Sequence, residues 1–284
     1  MRSKLFVPGA RPELFAKAMA GDADALSLDL EDSVRPQDKA SARDAVAQLV
    51  ASDAAQSLAK TLIVRINAAD TPWFHDDLRA VVHANLALLN LPKIESPDDV
   101  HAAVRALEAV EADAGIDQPI SLLLNIETPR GFANAGAIAA AHQRVAGLQL
   151  GLADLFEPLG IDRRDPANVH AVLFALRMAA AQSGVYVMDG AFPDIADDAG
   201  FSEEAQRARR LGYLGKSCIH PRQVALANLA FMPTADELAW ARQVVETATH
   251  SRHGAFQLQG RMVDAPFVLR ARRLLQAIER GGGD

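Results

Sequence analysis

Eight short apolar runs punctuate the chain, at about 3–8, 25–31, 61–67, 86–92, 120–127, 146–152, 185–190 and 214–219. Each is rich in leucine or β-branched residues. Between them lie alanine-rich stretches with helical spacing, such as 97–111, 166–182 and 202–211. Strand-like runs alternating with helical ones predict an α/β protein, and eight repeats fit a (β/α)8 TIM barrel. Apolarity is nearly continuous within most runs, as it is in parallel strands buried on both faces. A doubly wound open sheet is the alternative. The repeat count favours the barrel, as does the lack of a glycine-rich dinucleotide fingerprint after the first run.

After the eighth repeat the chain continues with an expected helix at about 235–250, a glycine-containing segment at 251–265 and a helix at about 266–280. The closing GGGD reads as a frayed end. This tail is longer than barrel closure needs. The expected division is therefore 1–232 as the barrel catalytic domain and 233–284 as a C-terminal helical extension, serving as a lid or an oligomerisation arm.

Polar residues gather where the apolar runs stop, and in a barrel the carboxyl ends of the strands line the active site. Run 2 ends in Asp29, Glu31 and Asp32, run 3 carries Arg65, and Lys93 follows run 4. Runs 5 to 8 end in Glu127, Asp154, Asp189 and His220. Titratable groups at seven of eight ends exceed what chance strand termination supplies. Glu127 and Asp154 stand 27 positions apart, about one strand plus one helix. On parallel neighbours they emerge side by side, where two acids call for a cation. A hard divalent ion such as Mg²⁺, with oxygen ligands and retained waters, is the usual answer.

Arg65 lies inside an apolar strand, VRIN, where a buried guanidinium needs an anion. A substrate carboxylate fits its fork, and an ion pair with the acids of run 2 is the competing reading. Asp29, Glu31, Asp32 and Lys93 are too many to be ligands together. Some of them orient Arg65 or hold metal-bound water from behind. His220, before Pro221, reads as an orienting residue and Cys218 as packing. Between run 1 and its helix, Gly9 permits an unusual turn, while Arg11 and Lys17 suit a phosphate or a nucleotide tail, or else simply face solvent.

Composition narrows the class. The net charge of −7 disfavours general binding to nucleic acid or to anionic membranes. A lone cysteine permits no intramolecular disulfide and fits a reducing, cytoplasmic setting. The opening MRSKLFVPGA has no secretory apolar stretch, and no run approaches the ~20 residues that span a bilayer. The expectation is a cytosolic globular protein.

The motifs themselves resemble a known family. RSKLFVPGARPELFAKA, ADALSLDLEDSV with Lys39, VRIN, LPKIE, IETPRG, GLADL, LGYLGKSCIHPRQV and GRMVDAPFV follow one another in order. In that order they resemble the citrate lyase β-subunit-like proteins of the wider HpcH/HpaI aldolase group, over nearly the whole chain. The resemblance implies a Mg²⁺-dependent (β/α)8 barrel with Glu127 and Asp154 as metal ligands and Arg65 as the substrate arginine. It implies that Asp264, in GRMVD, is an acid delivered by the tail of a neighbouring subunit, and that the protein is a trimer or hexamer. The implied reaction is cleavage of a 3-hydroxyacyl thioester, such as malyl-CoA, citramalyl-CoA or a citryl thioester, into a 2-oxo acid and an acetyl thioester. Arg11 and Lys17 would meet the CoA phosphates.

Four functions compete on this reading. They are a stand-alone CoA-ester lyase, the β subunit of a citrate lyase with its α and γ subunits and acyl carrier protein, an aldolase of free 4-hydroxy-2-oxo acids, and a non-catalytic binding barrel. The PGARPE opening and the GRMVD tail argue against the free-acid aldolase.

Overall fold

The computed structural model describes residues 1–251 and 253–281, apart from the side chains at 277 and 279–281. The expected frayed end beyond Gly281 lies outside the described residues. Strands β1 (Ser3–Pro8), β2 (Ala25–Asp29), β3 (Thr61–Arg65), β4 (Leu88–Leu91), β5 (Ser121–Ile126), β6 (Val145–Leu150), β7 (Tyr186–Asp189) and β8 (Gly215–Cys218) form one closed barrel in sequence order. Every neighbouring pair is parallel, and β8 closes on β1 through Ser3–Lys216, Lys4–Ser217 and Leu5–Cys218. Helices Phe15–Ala20, Lys39–Val50, Phe74–Val81, Pro97–Ala114, Ala135–Ala140, Pro166–Ala181, Asp198–Arg210 and Pro221–Phe231 follow the strands in turn.

Side-chain alternation splits each strand between two cores. Leu26 and Leu28 of β2 join the main apolar cluster beneath the helices. Ala25 of β2 instead meets Ile63 and Leu88 in a separate small cluster. That small cluster marks the barrel interior, and residues of like parity on the same strands share it. The helices are punctuated by their own sequence. Ser96 and Asp99 form a reciprocal capping box at the start of Pro97–Ala114, and Gly115 ends that helix with φ of 66°.

Residues from Met232 onward form a second compact unit. It contains helices Ala235–His250 and Ala265–Gly281 and an antiparallel hairpin of β9 (Phe256–Leu258) and β10 (Arg261–Val263). Ala241, Val244, Val263 and Ala271 are its buried apolar residues. The glycine-containing segment between the two helices thus holds a hairpin. Its two-residue turn, Gln259–Gly260, has positive φ at both positions, 48° and 78°, as a type I′ turn requires. Three-residue strands are too short to show period-two alternation, which hid them in the sequence. No helix among the described residues is long and apolar enough to cross a membrane.

Candidate functional site

The interior face of the barrel turns polar toward its carboxyl end. Register pairs Lys4 with Ala25, Phe6 with Ser27 and Asp29 with Arg65, so all of these share the inward face. Arg65 in turn pairs with Asn90, and Asn125 with Gln149.

Asp29 and Arg65 form the best-defined contact there. Arg65 Nε donates to Asp29 Oδ1 at 2.7 Å and Nη2 to Oδ2 at 2.9 Å. Asp29 also accepts the backbone N–H groups of Glu31 and Ser33. Burial alone would raise the Asp29 carboxyl, but the Arg65 charge outweighs it and holds the pKa down at about 2. Arg65 Nη1 lies 2.9 Å from Glu31 Oε2 and 3.5 Å from Asp32. The competing reading of Arg65 as a partner of the β2 acids is therefore realised. Its third nitrogen, Nη1, thus faces the buried Glu31 and the exposed Asp32.

Lys93 links this cluster to Glu127. Its Nζ donates to Glu31 Oε1 at 2.6 Å, while its backbone N–H donates to Glu127 Oε1 at 2.8 Å. Lys93 holds φ of 53°, in the left-handed region that a residue with a β-carbon seldom adopts. Such strain persists only where surrounding contacts hold it, and here two acids do so. Glu127 follows β5 directly and its other oxygen accepts from Asn125, which accepts in turn from Asn90.

Glu127 is buried and short of positive charge. Burial raises its carboxyl to about 7, and the nearby charges of Glu31 and Asp154 add to the shift. Gly151 makes room for it, because a Cβ there would lie 2.5 Å from both Glu127 Cβ and Oε2. Asp154 does not end a strand as expected. β6 stops at Leu150, and Asp154 sits exposed in the short helix Leu152–Phe156. The glycine that admits Glu127 is also the N-cap of that helix, so the second acid arrives on a helical turn.

These two carboxylates suit a hard divalent cation. Glu127 is a raised, buried acid near another acid, and the Lys93 ammonium is committed to Glu31. No group of three or more His, Cys, Asp or Glu among the described residues converges to hold a metal. A cation here would complete its shell with water and ligand oxygens.

Other expected residues lie apart. Asp189 faces away from the interior and pairs at 2.6 Å with Lys216, which also pairs with Glu204. His220 is exposed and accepts the backbone N–H of Arg222. Arg11 and Lys17 are exposed, and Arg11 pairs with Glu13. Gly9 does not have positive φ. Its need is space, since a Cβ would lie 2.9 Å from the Asp29 carbonyl oxygen. Asp264 sits at the start of helix Ala265–Gly281, where its carbonyl accepts from Phe267 and Val268. A cavity of about 840 Å³ is lined by Arg163, Phe192, Asp197, Glu204 and Arg207, and neither Glu127 nor Asp154 lines it.

Lys39 is a supporting residue that the pattern did not single out. Its ammonium donates to the carbonyls of Leu30 and Glu31 and to Asn67 Oδ1, at 2.6–2.7 Å. This pins the acid-bearing turn after β2 to the end of β3. Asn90 and Asn125, polar residues inside apolar runs, were the available sequence signal for the ladder behind Glu127.

Known proteins share this arrangement of strands and motifs. The chain is 35% identical over 302 residues to the L-malyl-CoA/beta-methylmalyl-CoA lyase of Cereibacter sphaeroides, covering 98% of this chain and 94% of that protein. It is 36% identical over 288 residues to the citrate lyase subunit beta of Escherichia coli, covering 99% and 94%. The structure of CitE from Mycobacterium tuberculosis, solved with magnesium, acetoacetate and coenzyme A, matches with a TM-score of 0.77 and 33% identity over 97% of this chain and 98% of that one. A citrate lyase structure from Burkholderia xenovorans, 24% identical, shares the fold at a TM-score of 0.85 over 99% of this chain and 92% of that one. The HpcH/HpaI aldolase/citrate lyase family model matches residues 2–221. With a closed parallel barrel whose acids collect at its carboxyl end, and near-full-length relatives above 30% identity, the chain belongs to the HpcH/HpaI aldolase/citrate lyase family.

Proposed function

We propose that this chain is a Mg²⁺-dependent carbon–carbon lyase that cleaves, or in reverse forms, a 3-hydroxyacyl thioester of the malyl-CoA, citramalyl-CoA or citryl type. The products are a 2-oxo acid and an acetyl thioester. The observation that carries this reading is Glu127, a buried carboxylate raised to about 7 beside Asp154, with the Arg65 cluster across Lys93 from it. Relatives at 35% and 36% identity are a malyl-CoA lyase and a citrate lyase β subunit, and structural neighbours were solved with magnesium together with acetoacetate, oxaloacetate or pyruvate.

In this reading Glu127 and Asp154 hold the cation, which supplies Lewis-acid charge stabilisation when bound. Asn125 and the Lys93 N–H orient the Glu127 carboxylate. Arg65, locked by Asp29, presents its outer N–H groups to the carboxylate or to the hydroxyl oxygen that becomes the 2-oxo group. As the hydroxyl gives up its proton to water and becomes the carbonyl, the bond between its carbon and the thioester α-carbon breaks, and that bond's electron pair passes to the thioester as an enolate. Asp264, brought by the tail of a neighbouring subunit, protonates that carbon. Arg11 and Lys17 meet the CoA phosphates. Asp29, Glu31, Asp32 and Lys93 hold the arginine and the cation's waters from behind.

A homotrimer or hexamer follows from a lid acting in trans, and a cytoplasmic setting fits the lone buried Cys218. A second reading, as the β subunit of a citrate lyase complex acting on an acyl-carrier thioester, is favoured specifically by the Escherichia coli relative. The deciding experiment is a Mg²⁺-dependent assay against malyl-CoA, citramalyl-CoA and citryl-CoA, following release of glyoxylate, pyruvate or oxaloacetate. Release from none of them, with the correctly folded oligomer and Mg²⁺ present, would reject the stand-alone lyase.

A further inference from the structure

The Phe6 ring touches two cation-bearing side chains. Arg65 Cζ lies 4.9 Å from the ring centroid, and Lys4 Nζ lies 4.1 Å from it. Lys4 and Phe6 face the interior from the same strand, and Arg65 reaches them from β3. The hydrogen bonds of Arg65 to Asp29 run along one edge of the guanidinium, through Nε and Nη2. Nη1, on the other side of the group, lies 2.9 Å from Glu31 Oε2 and 3.5 Å from Asp32, so acids grip the guanidinium around its rim. The Phe6 ring adds a contact out of that rim, since cation and ring attract best when the guanidinium lies over the π-face.

Lys4 is the less expected member of the stack. It is fully buried, and no carboxylate among the described residues lies within ion-pair distance of it. Its amine donates to Gln149 Oε1. Burial first, and the Arg65 charge second, lower its pKa well below the ordinary lysine value. The Lys4 side chain occupies space against the ring that a smaller residue would leave empty.

Resting on the reading of Arg65 as the substrate arginine, we propose that Phe6 is a positioning residue. Its ring face sets the tilt at which Arg65 meets the 2-oxo acid, and Lys4 props the ring from inside the barrel. Neither residue touches substrate or cation in this scheme.

The test uses the full-length oligomer with saturating Mg²⁺ and pyruvate as the probe, with Mg²⁺ affinity titrated separately. Phe6→Leu should weaken pyruvate binding roughly three- to tenfold, in line with one cation–π contact, and leave Mg²⁺ affinity within about twofold. Phe6→Tyr, which keeps the ring, should restore binding. Lys4→Met, apolar and of similar length, should stay close to wild type. The ¹⁵N-arginine side-chain signal of Arg65 should lose its ring-current displacement in Phe6→Leu and keep it in Phe6→Tyr. If Phe6→Leu does not fold, Phe6→Met takes its place. Wild-type pyruvate affinity in the ring-less variant, with Arg65→Gln impaired, would overturn the role of Phe6 and leave that of Arg65 standing. Wild-type affinity in Arg65→Gln would instead overturn the reading of Arg65 and the proposal with it.

Discussion

The backbone N–H of Lys93 donates to Glu127 Oε1 at 2.8 Å, while the ammonium of the same residue donates to Glu31 at 2.6 Å. One residue with left-handed backbone thus joins the acid after β5 to the acid-rich turn after β2. The contact orients Glu127 without neutralising it, because the charge that would do so is spent on Glu31. Glu127 therefore keeps its proton up to about 7.

That relation fixes a pH dependence for the metal-free protein. In the unfolded chain Glu127 ionises near its ordinary value of 4.5, and in the folded chain near 7. Between these values the unfolded state binds fewer protons, so stability falls as pH rises through the window and levels off above it. The loss is about 3 kcal/mol. Glu127→Gln should remove it, so with chelator present its melting temperature should exceed that of wild type more at pH 8 than at pH 5. An equal difference at both pH values would refute the buried-acid account. Mg²⁺ should stabilise wild type at pH 8 and bind Glu127→Gln more than ~100-fold more weakly, since even outer partners of a metal site are worth 10–100-fold.

Gly151 is tested by adding a single methyl group. A Cβ there would lie 2.5 Å from Glu127 Cβ and Oε2. Gly151→Ala should displace the carboxylate, lowering Mg²⁺ affinity by about 10–100-fold and stability by about 1–3 kcal/mol. Calorimetric titration checks the first and urea unfolding the second. Unchanged affinity would mean that Glu127 has room elsewhere.

Arg65→Lys keeps the charge and loses the fork that Asp29 grips through two hydrogen bonds. The expected fall in kcat/KM is about 10²–10³-fold, the typical worth of one placed donor at a developing charge. Mg²⁺ affinity should hardly move. Steady-state kinetics with wild-type values would return Arg65 to the role of a structural ion pair alone.

Asp264→Asn should slow turnover by roughly 10²–10⁴-fold and spare Mg²⁺ and 2-oxo acid binding. Mixed oligomers of inactive Asp264→Asn and inactive Glu127→Gln subunits should regain activity if the acid acts in trans. Confirmed mixed oligomers that stay inactive would place the acid and the metal ligands in one subunit.

The ion cluster outside the barrel is structural. Lys216 is fully buried between Asp189 and Glu204, each at 2.6 Å, and Glu204 also pairs with Arg163. Lys216→Met leaves two buried acids facing one another across the lost ammonium. It should cost about 3–5 kcal/mol in denaturant unfolding. A cost below ~1 kcal/mol would show that the acids are protonated or hydrated in the native state.

The amino-acid sequence by itself determined the barrel. Burial on both faces makes each parallel strand apolar along its length, so all eight strands were legible, most to within a residue or two at each end. It also placed Asp29, Arg65, Lys93 and Glu127 together, because closure of a barrel brings every strand end to one rim. Only the tertiary structure decided which way each of these groups faces. Alternation sends Asp29 inward and leaves Asp189 facing a helix, although both end a strand, and strand-end position carries no parity until register is known. Asp154 appeared to end a strand, yet β6 stops at Leu150 and Gly151 caps the short helix that carries the acid. The three-residue hairpin strands were hidden because a period of two needs more positions to show. The commitment of Lys93 to both Glu31 and Glu127 joins loops 34 and 62 residues apart in sequence, and such contacts exist only once the chain has closed.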